Sequence, residues 1–200
     1  MIPLLQGCDL VSFDLDGTLA EVFFRRLGLW RSFLRHPIVL KRYLGSVESL
    51  RGTRQPHVIR AVAEQIAADS KFDTETVIQI LDREIGQRWP SLFKGAKTPA
   101  PLLRLIQLVD DAQIPRCIVS DYPALFKLNA MGLTGFSPII DCQELGALKP
   151  LPDGLWAAAA QMGCPPSKIL HVGDRWETDG DSAARFGCRF VHIDELPSLI

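Results

Sequence analysis

The residues that decide the fold are Phe13-Asp14-Leu15-Asp16-Gly17-Thr18-Leu19. The run before them, residues 9–13, predicts a buried strand, and Gly17 lets the chain turn sharply away from it. Because side chains alternate between the two faces of a strand, residues two apart such as Asp14 and Asp16 can converge. Two acids at the carboxyl end of a central strand lie where open α/β sheets build active sites. The plain alternative is a strand that ends in an ordinary Asp-Gly turn with a Thr cap.

Three later stretches carry side chains that fit one chemical task. They are Ile118-Val119-Ser120-Asp121, Leu148-Lys149-Pro150, and Ile169-Leu170-His171-Val172-Gly173-Asp174 with Asp179 shortly after. Aspartates can together hold a Mg²⁺ ion, which takes oxygen ligands and usually keeps several waters. A serine and a lysine can hold the oxygens of a phosphoryl group.

Strand and helix patterns alternate along most of the chain. The strands are expected near residues 10–15, 115–120, 138–142, 168–172 and 188–193, and the helices near residues 99–111, 123–131, 153–162 and 179–186. This alternation predicts an α/β fold with a Rossmann-like three-layer core, in which a central parallel sheet lies between two layers of helices.

The sequence resembles the haloacid dehalogenase-like (HAD) superfamily, whose members are mostly phosphohydrolases. The resemblance covers residues 8–20 and 97–193, and its motifs occur in the family's order. Residues 14–18 match the first motif, Ser120 the second, Lys149 the third, and Gly173-Asp174 with Asp179 the fourth. The resemblance also implies that the strand before Asp14 is central in the sheet.

The resemblance implies a mechanism that begins with Asp14. This residue would attack phosphorus and form an aspartyl-phosphate, which splits one difficult displacement into two easier ones. Asp16 would protonate the leaving oxygen and then activate the water that hydrolyses the intermediate. A Mg²⁺ ion, held by Asp14, the backbone carbonyl of Asp16 and Asp174, would neutralise charge on the transferring group.

Three further residues complete the implied site. Ser120 and Lys149 would bind the remaining phosphoryl oxygens. Asp179 would act one layer further out, where it would orient Lys149 or a metal-bound water.

Asp16 helps to indicate which of the family's activities this chain has, and Asp121 departs from the family's pattern. Dehalogenases generally lack the second aspartate of the first motif and P-type ATPases carry threonine there, so Asp16 indicates a phosphatase or a phosphomutase. Asp121 departs from the family pattern, which often has a neutral residue after the serine of the second motif. A negative charge would disfavour phosphate binding unless Asp121 points away or caps the next helix. We favour the cap, because Pro123 suits a first helical turn.

Residues 20–96 show helix-like periodicity and few strand signals. We therefore predict a small helical cap domain at residues 20–96, inserted into a catalytic core of residues 1–19 and 97–200. Such caps exclude water and select the substrate. Pro37 is expected to interrupt any single long helix in the first part of the cap. The apolar positions are Phe23, Phe24, Leu27, Trp30, Phe33 and Leu34, then Val58, Ala61, Val62 and Ile66, then Val77, Ile80, Leu81 and Ile85, and we expect them to form cap core.

Basic residues concentrate in the first half of the predicted cap. Residues 21–60 carry nine Lys or Arg and two Glu, a net charge of +7, whereas the rest of the chain carries −8. The favoured hypothesis is a solvated basic helix face. The alternatives are electrostatic attraction of a phosphorylated substrate, and contact with an anionic membrane surface. No nucleic-acid partner is expected.

The composition is ordinary for a globular enzyme. The 200 residues are 47% hydrophobic and 22% charged, with a formal net charge of −1, and no apolar run approaches the length of a membrane span. No basic region and apolar stretch precede Cys8, so we expect no signal peptide. An odd, dispersed set of cysteines indicates reduced thiols and a cytoplasmic location. The set is Cys8, Cys117, Cys142, Cys164 and Cys188.

These patterns predict a Mg²⁺-dependent phosphatase that hydrolyses a small phosphomonoester. The alternatives are a phosphomutase of the same superfamily and a non-catalytic HAD-like binding or scaffold domain, for which loss of Asp14 or Asp16 is expected. His171 is expected to be a half-buried, hydrogen-bonded histidine, and the spacing of the other histidines does not favour zinc. The sequence predicts neither the identity of the substrate nor an oligomeric state.

Overall fold

The computed structural model describes residues 2–20 and 34–200. Its central element is a parallel sheet, whose strands are β1 (Leu10–Phe13), β2 (Arg116–Ser120), β3 (Ile139–Asp141), β4 (Ile169–Gly173) and β5 (Arg189–His192). The strand order is β3-β2-β1-β4-β5, and every neighbouring pair is parallel. The predicted parallel sheet is therefore confirmed, with β1 at its centre.

The sequence of β1 follows from its central position. All four residues of the strand are buried, and parallel strands covered on both faces are typically near-continuous apolar runs. In the sheet register, Phe13 lies opposite Ile118 of β2 and Val172 of β4. Val11 and Phe13 pack into one hydrophobic cluster, whereas Leu10 packs into the other. The central strand thus contributes to the core on both faces of the sheet.

Helices form the outer layers, which confirms the predicted three-layer α/β architecture. Leu105 and Val109 belong to the cluster that contains Phe13, and Leu155 and Ala158 belong to the opposite cluster. The α-helices are α1 (Pro37–Ser49), α2 (Val58–Ala68), α3 (Thr74–Leu81), α4 (Ala100–Asp111), α5 (Leu125–Met131), α6 (Asp153–Met162), α7 (Asp181–Phe186) and α8 (Leu196–Leu199).

All elements that the structure describes between β1 and α4 are helical. Helices α1 to α3 are followed by a π-helical turn, Asp82–Arg88, and a 3₁₀ turn, Trp89–Phe93. We refer to residues 37–93 as the helical segment. Most of the predicted apolar positions of α2 and α3 are buried, with Val62 and Val77 fully inaccessible. Ala61 and Ile85 are partly exposed, and Ile85 lies in the π-helical turn beyond α3. The apolar spacing therefore identified two of these helices correctly.

The expected interruption at Pro37 is confirmed, because the backbone of His36 just before helix α1 is not helical (φ −135°, ψ 57°). Pro37 occupies the first turn of α1, a position where the missing backbone N–H has no helical acceptor to lose. Pro37 therefore begins a helix. The predicted aromatic stripe from Phe23 to Phe33 lies outside the described residues, and Leu34, the last of that group, is exposed.

Backbone and side-chain contacts join the helical segment to the sheet. Gln55 N donates to Gly146 O at 2.7 Å, and the Arg54 guanidinium donates to both carboxylate oxygens of Asp153 at 2.9 and 3.1 Å. Arg54 also forms an antiparallel bridge with Ala147. These contacts place the segment beside the loop that follows β3. The division into a cap at residues 20–96 and a core at residues 1–19 and 97–200 stays a prediction.

Two further findings concern the sequence-based expectations. Across the described residues, no helix has both the length and the apolar character needed to cross a membrane. All five cysteines are free thiols, and Cys8, Cys117 and Cys142 are buried.

Two helical glycines should respond oppositely to replacement by alanine. In α6, a Cβ on Gly154 would lie 2.6 Å from Val119 Cγ1 and 2.7 Å from Cys142 Sγ, whereas a Cβ on Gly45 in α1 would meet no atom within 4 Å. We expect Gly154→Ala to lower the free energy of unfolding by about 1–3 kcal/mol through overpacking. Gly45→Ala should raise it by about 0.5–1 kcal/mol, because alanine favours the helix. Urea denaturation measures both, and equal effects would contradict the close packing of α6 on the sheet.

Candidate active site

A polar cleft lies at the carboxyl end of β1. Its volume is about 70 Å³, and it is lined by Asp14, Asp16, Glu48, Arg51, Asp121, Tyr122, Lys149, Asp174, Arg175, Thr178 and Asp179. Asp14 follows the last residue of β1, and its backbone N–H donates to Val172 O at 2.9 Å. The sheet ladder therefore fixes the backbone of Asp14 and holds its side chain at the cleft. Five of the six predicted site residues line this one space.

Lys149 lies at the centre of the buried charges. Its Nζ is 2.6 Å from Asp14 Oδ1 and 2.5 Å from Asp179 Oδ1, and it also donates to Val119 O at 3.3 Å. Burial acts to lower the pKa of Lys149, but the carboxylates of Asp14 and Asp179 outweigh burial and hold that pKa well above its ordinary value. Lys149 is thus a permanent cation in contact with Asp14.

Asp14 experiences more negative charge than Lys149 can balance. Burial, together with the carboxylates of Asp179 and Asp174, raises the pKa of Asp14 to about 8 despite the contact with Lys149. Oxygens of Asp14, Asp174 and Asp179 lie within 4.8 Å of one another. Asp14 Oδ2 is buried and has no hydrogen-bond partner among the described residues. A buried carboxylate oxygen without a partner, next to two more carboxylates, fits a hard divalent cation.

Two glycines allow these carboxylates to come close. Gly17 has a φ of +96°, and a Cβ at this position would lie 2.1 Å from Asp174 Oδ2. A Cβ on Gly173 would lie 2.4 Å from Asp179 Cγ. Thr18 Oγ1 donates to Asp174 Oδ1 at 3.3 Å. The first and fourth motifs therefore meet through glycine backbones that leave room for the acids.

Asp179 lies on the π-helical turn Trp176–Gly180 and has several hydrogen-bonding partners. Besides Lys149, the backbone N–H of Arg175 donates to its Oδ2 at 3.2 Å, and His171 Nε2 lies 3.5 Å from its Oδ1. Burial acts to raise the pKa of Asp179, but Lys149 and His171 hold it below its ordinary value. His171 itself is fully buried, which corrects the expectation of a half-buried side chain, and its Nδ1 lies 3.0 Å from Ser12 Oγ.

Asp16 has a partner that the sequence analysis missed. Its Oδ2 is ion-paired with Lys127 Nζ, whereas its Oδ1 is buried and finds no partner in the part of the chain that the structure describes. Lys127 lies on α5, is only 4% exposed, and has the rings of Trp89, Phe93 and Tyr122 at 5.8, 5.2 and 5.3 Å from its ammonium. Aromatic faces stabilise a cation that has lost water. The sequence signal for this contact is weak, since it consists of one lysine in a short and mostly apolar helix.

Asp121 does not cap a helix, so the favoured interpretation of this residue is wrong. Helix α5 has no side-chain cap at its N-cap residue, Ala124. Asp121 Oδ1 instead accepts from Lys149 N at 2.9 Å, and its Oδ2 is ion-paired with Arg51. Arg51 also donates to Lys149 O at 2.7 Å and to Glu48 Oε2 at 2.8 Å. An arginine from the helical segment therefore neutralises the extra acid of the second motif.

Ser120 ends β2 and is fully buried. Its Oγ accepts a hydrogen bond from Tyr122 N at 3.2 Å, and it is not among the described residues that line the cleft. Its role as a phosphate ligand stays a prediction.

The basic residues of the helical segment are mostly paired with acids. Arg42 pairs with Asp69 and Arg60 pairs with Glu75 on the surface. Among the basic residues that the structure describes between positions 34 and 60, Arg51 alone lines the cleft. Arg25, Arg26 and Arg31 lie outside the described residues, so the hypotheses for the basic region stay open.

The three-layer fold and the ordered acidic motifs define a class of hydrolase. Residues 8–187 match the family model described as haloacid dehalogenase-like hydrolase. The chain therefore belongs to the haloacid dehalogenase-like hydrolases, and the predicted family is confirmed.

Solved structures share this fold at low sequence identity. A β-phosphoglucomutase from Clostridium difficile has a TM-score of 0.69 at 19% identity, covering 92% of this chain and 84% of that chain. A 2-haloacid dehalogenase from Pseudomonas syringae pv. Tomato has a TM-score of 0.64 at 20% identity, covering 92% and 85%. A HAD phosphatase from Thermococcus onnurineus has a TM-score of 0.62 at 20% identity, covering 92% and 86%. These proteins differ in activity, so the similarity establishes the fold alone.

Replacing Gly17 should displace Asp174. Gly17→Ala adds a methyl group where Asp174 Oδ2 lies, while Gly7→Ala is a matched control, because Gly7 also has a positive φ but no atom within 4 Å of its Cβ position. Both variants should lose about 1 kcal/mol of stability from backbone strain. Only Gly17→Ala should also weaken divalent-cation binding, by about tenfold or more. Isothermal titration calorimetry measures the binding, and equal cation affinity in the two variants would contradict the arrangement.

Proposed function

We propose that this protein is a Mg²⁺-dependent phosphatase that hydrolyses a small phosphomonoester through an aspartyl-phosphate on Asp14. The observation that carries the proposal is the pair of acids in one cleft. Each acid has a buried lysine on one oxygen, and among the described residues its second oxygen has no partner. Asp14 contacts Lys149 and Asp16 contacts Lys127. These contacts support attack by Asp14 and proton transfer by Asp16.

The first step uses both acids. A carboxylate oxygen of Asp14 attacks phosphorus and forms a P–O bond, while the bond between phosphorus and the ester oxygen breaks. Asp16, entering as the acid, gives its proton to the departing oxygen, so the alcohol leaves neutral. In the second step Asp16 removes a proton from water, which attacks the same phosphorus and releases inorganic phosphate with Asp14 restored.

The remaining charged groups support the phosphoryl group. Lys149 is proposed to bind a phosphoryl oxygen together with Ser120, and Asp179 orients the Lys149 ammonium through the 2.5 Å contact. Asp14, Asp174 and the backbone carbonyl of Asp16 are proposed to hold Mg²⁺, which when bound supplies positive charge that offsets the phosphoryl oxygens and keeps Asp14 ionised. The carboxylate cluster supports this assignment, because it needs a cation.

A phosphomutase would use the same residues and return the phosphoryl group to a second hydroxyl. A scaffold domain is disfavoured, because Asp14 and Asp16 are both retained.

The partner proposed here is a small phosphorylated molecule. Five free cysteines support a reducing, cytoplasmic compartment.

Replacing Asp14 and replacing Asp16 by asparagine should impair different steps of the reaction. Asp14→Asn should abolish hydrolysis of an aryl phosphate in the presence of Mg²⁺ and should form no phosphoenzyme. Asp16→Asn should lower kcat by about 10²–10⁴-fold, with the larger loss for esters of poorer leaving groups, because those need the proton most. Single-turnover assays with ³²P-labelled substrate separate the two steps.

A matched control for these variants is Asp181→Asn, which changes an exposed acid near the fourth motif in the same way. It should keep wild-type turnover. Labelled phosphoenzyme in Asp14→Asn would rule out Asp14 as the nucleophile, and inactivity of the wild type on aryl and alkyl phosphates would refute the phosphatase.

Mg²⁺ binding should depend on pH through Asp14. Because the folded-state pKa of Asp14 is raised to about 8, the stability from this group is present below about pH 4 and is lost as pH rises to about 8. Mg²⁺ competes with the proton for the carboxylate, so it should raise the melting temperature more at about pH 8.5 than at about pH 6. Differential scanning fluorimetry measures the shift. The same Mg²⁺ effect at both pH values, or an unchanged pH dependence in Asp14→Asn, would contradict the assignment.

A further inference from the structure

A second pocket lies between the helical segment and the core, next to the catalytic cleft. We call it the side pocket. Its volume is about 350 Å³, and its walls include Tyr43, Ile59, Ile78, Leu81, Pro123 and Gln143. The first four belong to α1, α2 and α3, whereas Pro123 and Gln143 follow β2 and β3. A mostly apolar pocket of this size with a few polar groups is typical of a site for an organic ligand.

Two buried polar groups at the side pocket have weak hydrogen bonding. The Tyr43 hydroxyl and Gln143 Nε2 form no well-aligned hydrogen bond with any described residue. They lie near each other: burial raises the pKa of Tyr43, while the Gln143 side chain acts to lower it. Tyr43 is only 1% exposed and Gln143 8% exposed. Buried polar groups are normally paired, because an unmade hydrogen bond costs free energy. Both residues line the side pocket, so a ligand there can supply a better-aligned donor and acceptor.

The side pocket and the catalytic cleft are separated by one layer of aromatic side chains. Tyr122 lines the cleft, and on its other side Trp89 stacks on it with ring centroids 6.2 Å apart. A narrow gap of about 10 Å³ between these rings is lined by Lys127 and Ile85 as well, and Ile85 also lines the side pocket. The Tyr43 ring is 6.5 Å from Tyr122. The rings of Tyr122 and Trp89 therefore separate the two spaces. A substrate that extends from the cleft into the side pocket has to displace the Tyr122 ring.

The side chains that line the side pocket limit the class of ligand that can bind there. A sugar would place several hydroxyls against isoleucine and leucine, where they would remain unpaired. A second anionic group would meet the carboxylate of Asp82, which also lines the side pocket. An uncharged apolar group with one terminal hydroxyl or carbonyl would bury its carbon surface and would pair with Tyr43 or Gln143.

We propose that the side pocket binds the organic part of the substrate, and that this part is an uncharged group of about one aromatic ring with one polar atom at its far end. The proposal rests on the phosphatase activity proposed above, because it names the leaving alcohol of that reaction. It assigns substrate selection to Tyr43 and Gln143 as polar contacts, and to Ile59, Ile78 and Leu81 as the apolar surface.

Three esters with alkoxide leaving groups of similar reactivity test the proposal. They are ethyl phosphate, 2-phenylethyl phosphate and 2-(4-hydroxyphenyl)ethyl phosphate, compared by kcat/KM with the wild-type enzyme and Mg²⁺. Burial of the ring should raise kcat/KM about tenfold or more over ethyl phosphate. The terminal hydroxyl should add about a further threefold to tenfold by pairing with Tyr43 or Gln143. Equal kcat/KM for all three esters would overturn the proposal.

Variants locate the selectivity in the side pocket. Ile78→Trp should fill the space and remove the preference for 2-phenylethyl over ethyl phosphate, whereas Gln79→Trp, at the exposed neighbouring position of α3, should keep it. Tyr43→Phe should keep the gain from the ring and lose the gain from the terminal hydroxyl. A preference that survives Ile78→Trp places the selectivity elsewhere and overturns the proposal. A hydroxyl gain that survives both Tyr43→Phe and Gln143→Leu overturns the polar assignment.

Direct binding separates this proposal from the phosphatase. Calorimetry with the unphosphorylated alcohol, 2-(4-hydroxyphenyl)ethanol, needs no turnover and should show millimolar or tighter binding that Ile78→Trp abolishes and Gln79→Trp retains. If the alcohol binds in this way but no ester is hydrolysed, the proposed function fails and the ligand site stands. If the esters are hydrolysed equally and the alcohol does not bind, the phosphatase stands and the side pocket proposal fails.

Discussion

The structure depends on one electrostatic constraint, the crowding of buried carboxylates at the carboxyl end of β1. Asp14, Asp174 and Asp179 approach within 4.8 Å, and Lys149 is the cation that touches two of them. Like charges at this distance in a buried site are unfavourable unless cations balance them. The stability of the cleft therefore depends on cations placed next to these carboxylates.

The cations come from elements that are far apart in the sequence. Lys149 follows β3, Lys127 lies on α5, and Arg51 comes from the helical segment. Each one meets a different acid at the cleft, namely Asp14, Asp16 or Asp121 respectively; the charge balance of the cleft therefore uses residues from the sheet loops, from α5 and from the helical segment. The balance of charge in the cleft thus depends on the packing of these elements against one another.

Local patterns sufficed to predict the sheet and most of the acidic residues. The alternation of strand side chains placed Asp14 and Asp16 at one edge, and the apolar runs located every strand to within two residues. Local rules could not find Arg51 or Lys127, because each is separated from its partner by 70 residues or more. Asp121 was misinterpreted for the same reason, since a nearby helix start suggested a cap while the true partners lie elsewhere in the chain.

The contact between Arg51 and Asp121 makes the charge of the cleft depend on where the helical segment lies. Arg51 belongs to the segment, whereas Asp121 and the carbonyl of Lys149 that it contacts belong to the loops after β2 and β3. Any displacement of the segment from the sheet would carry a positive charge away and leave the carboxylate of Asp121 without it beside the proposed phosphate site. Docking of the segment would then favour capture of an anion, and undocking would favour its release, without any change in the catalytic acids themselves.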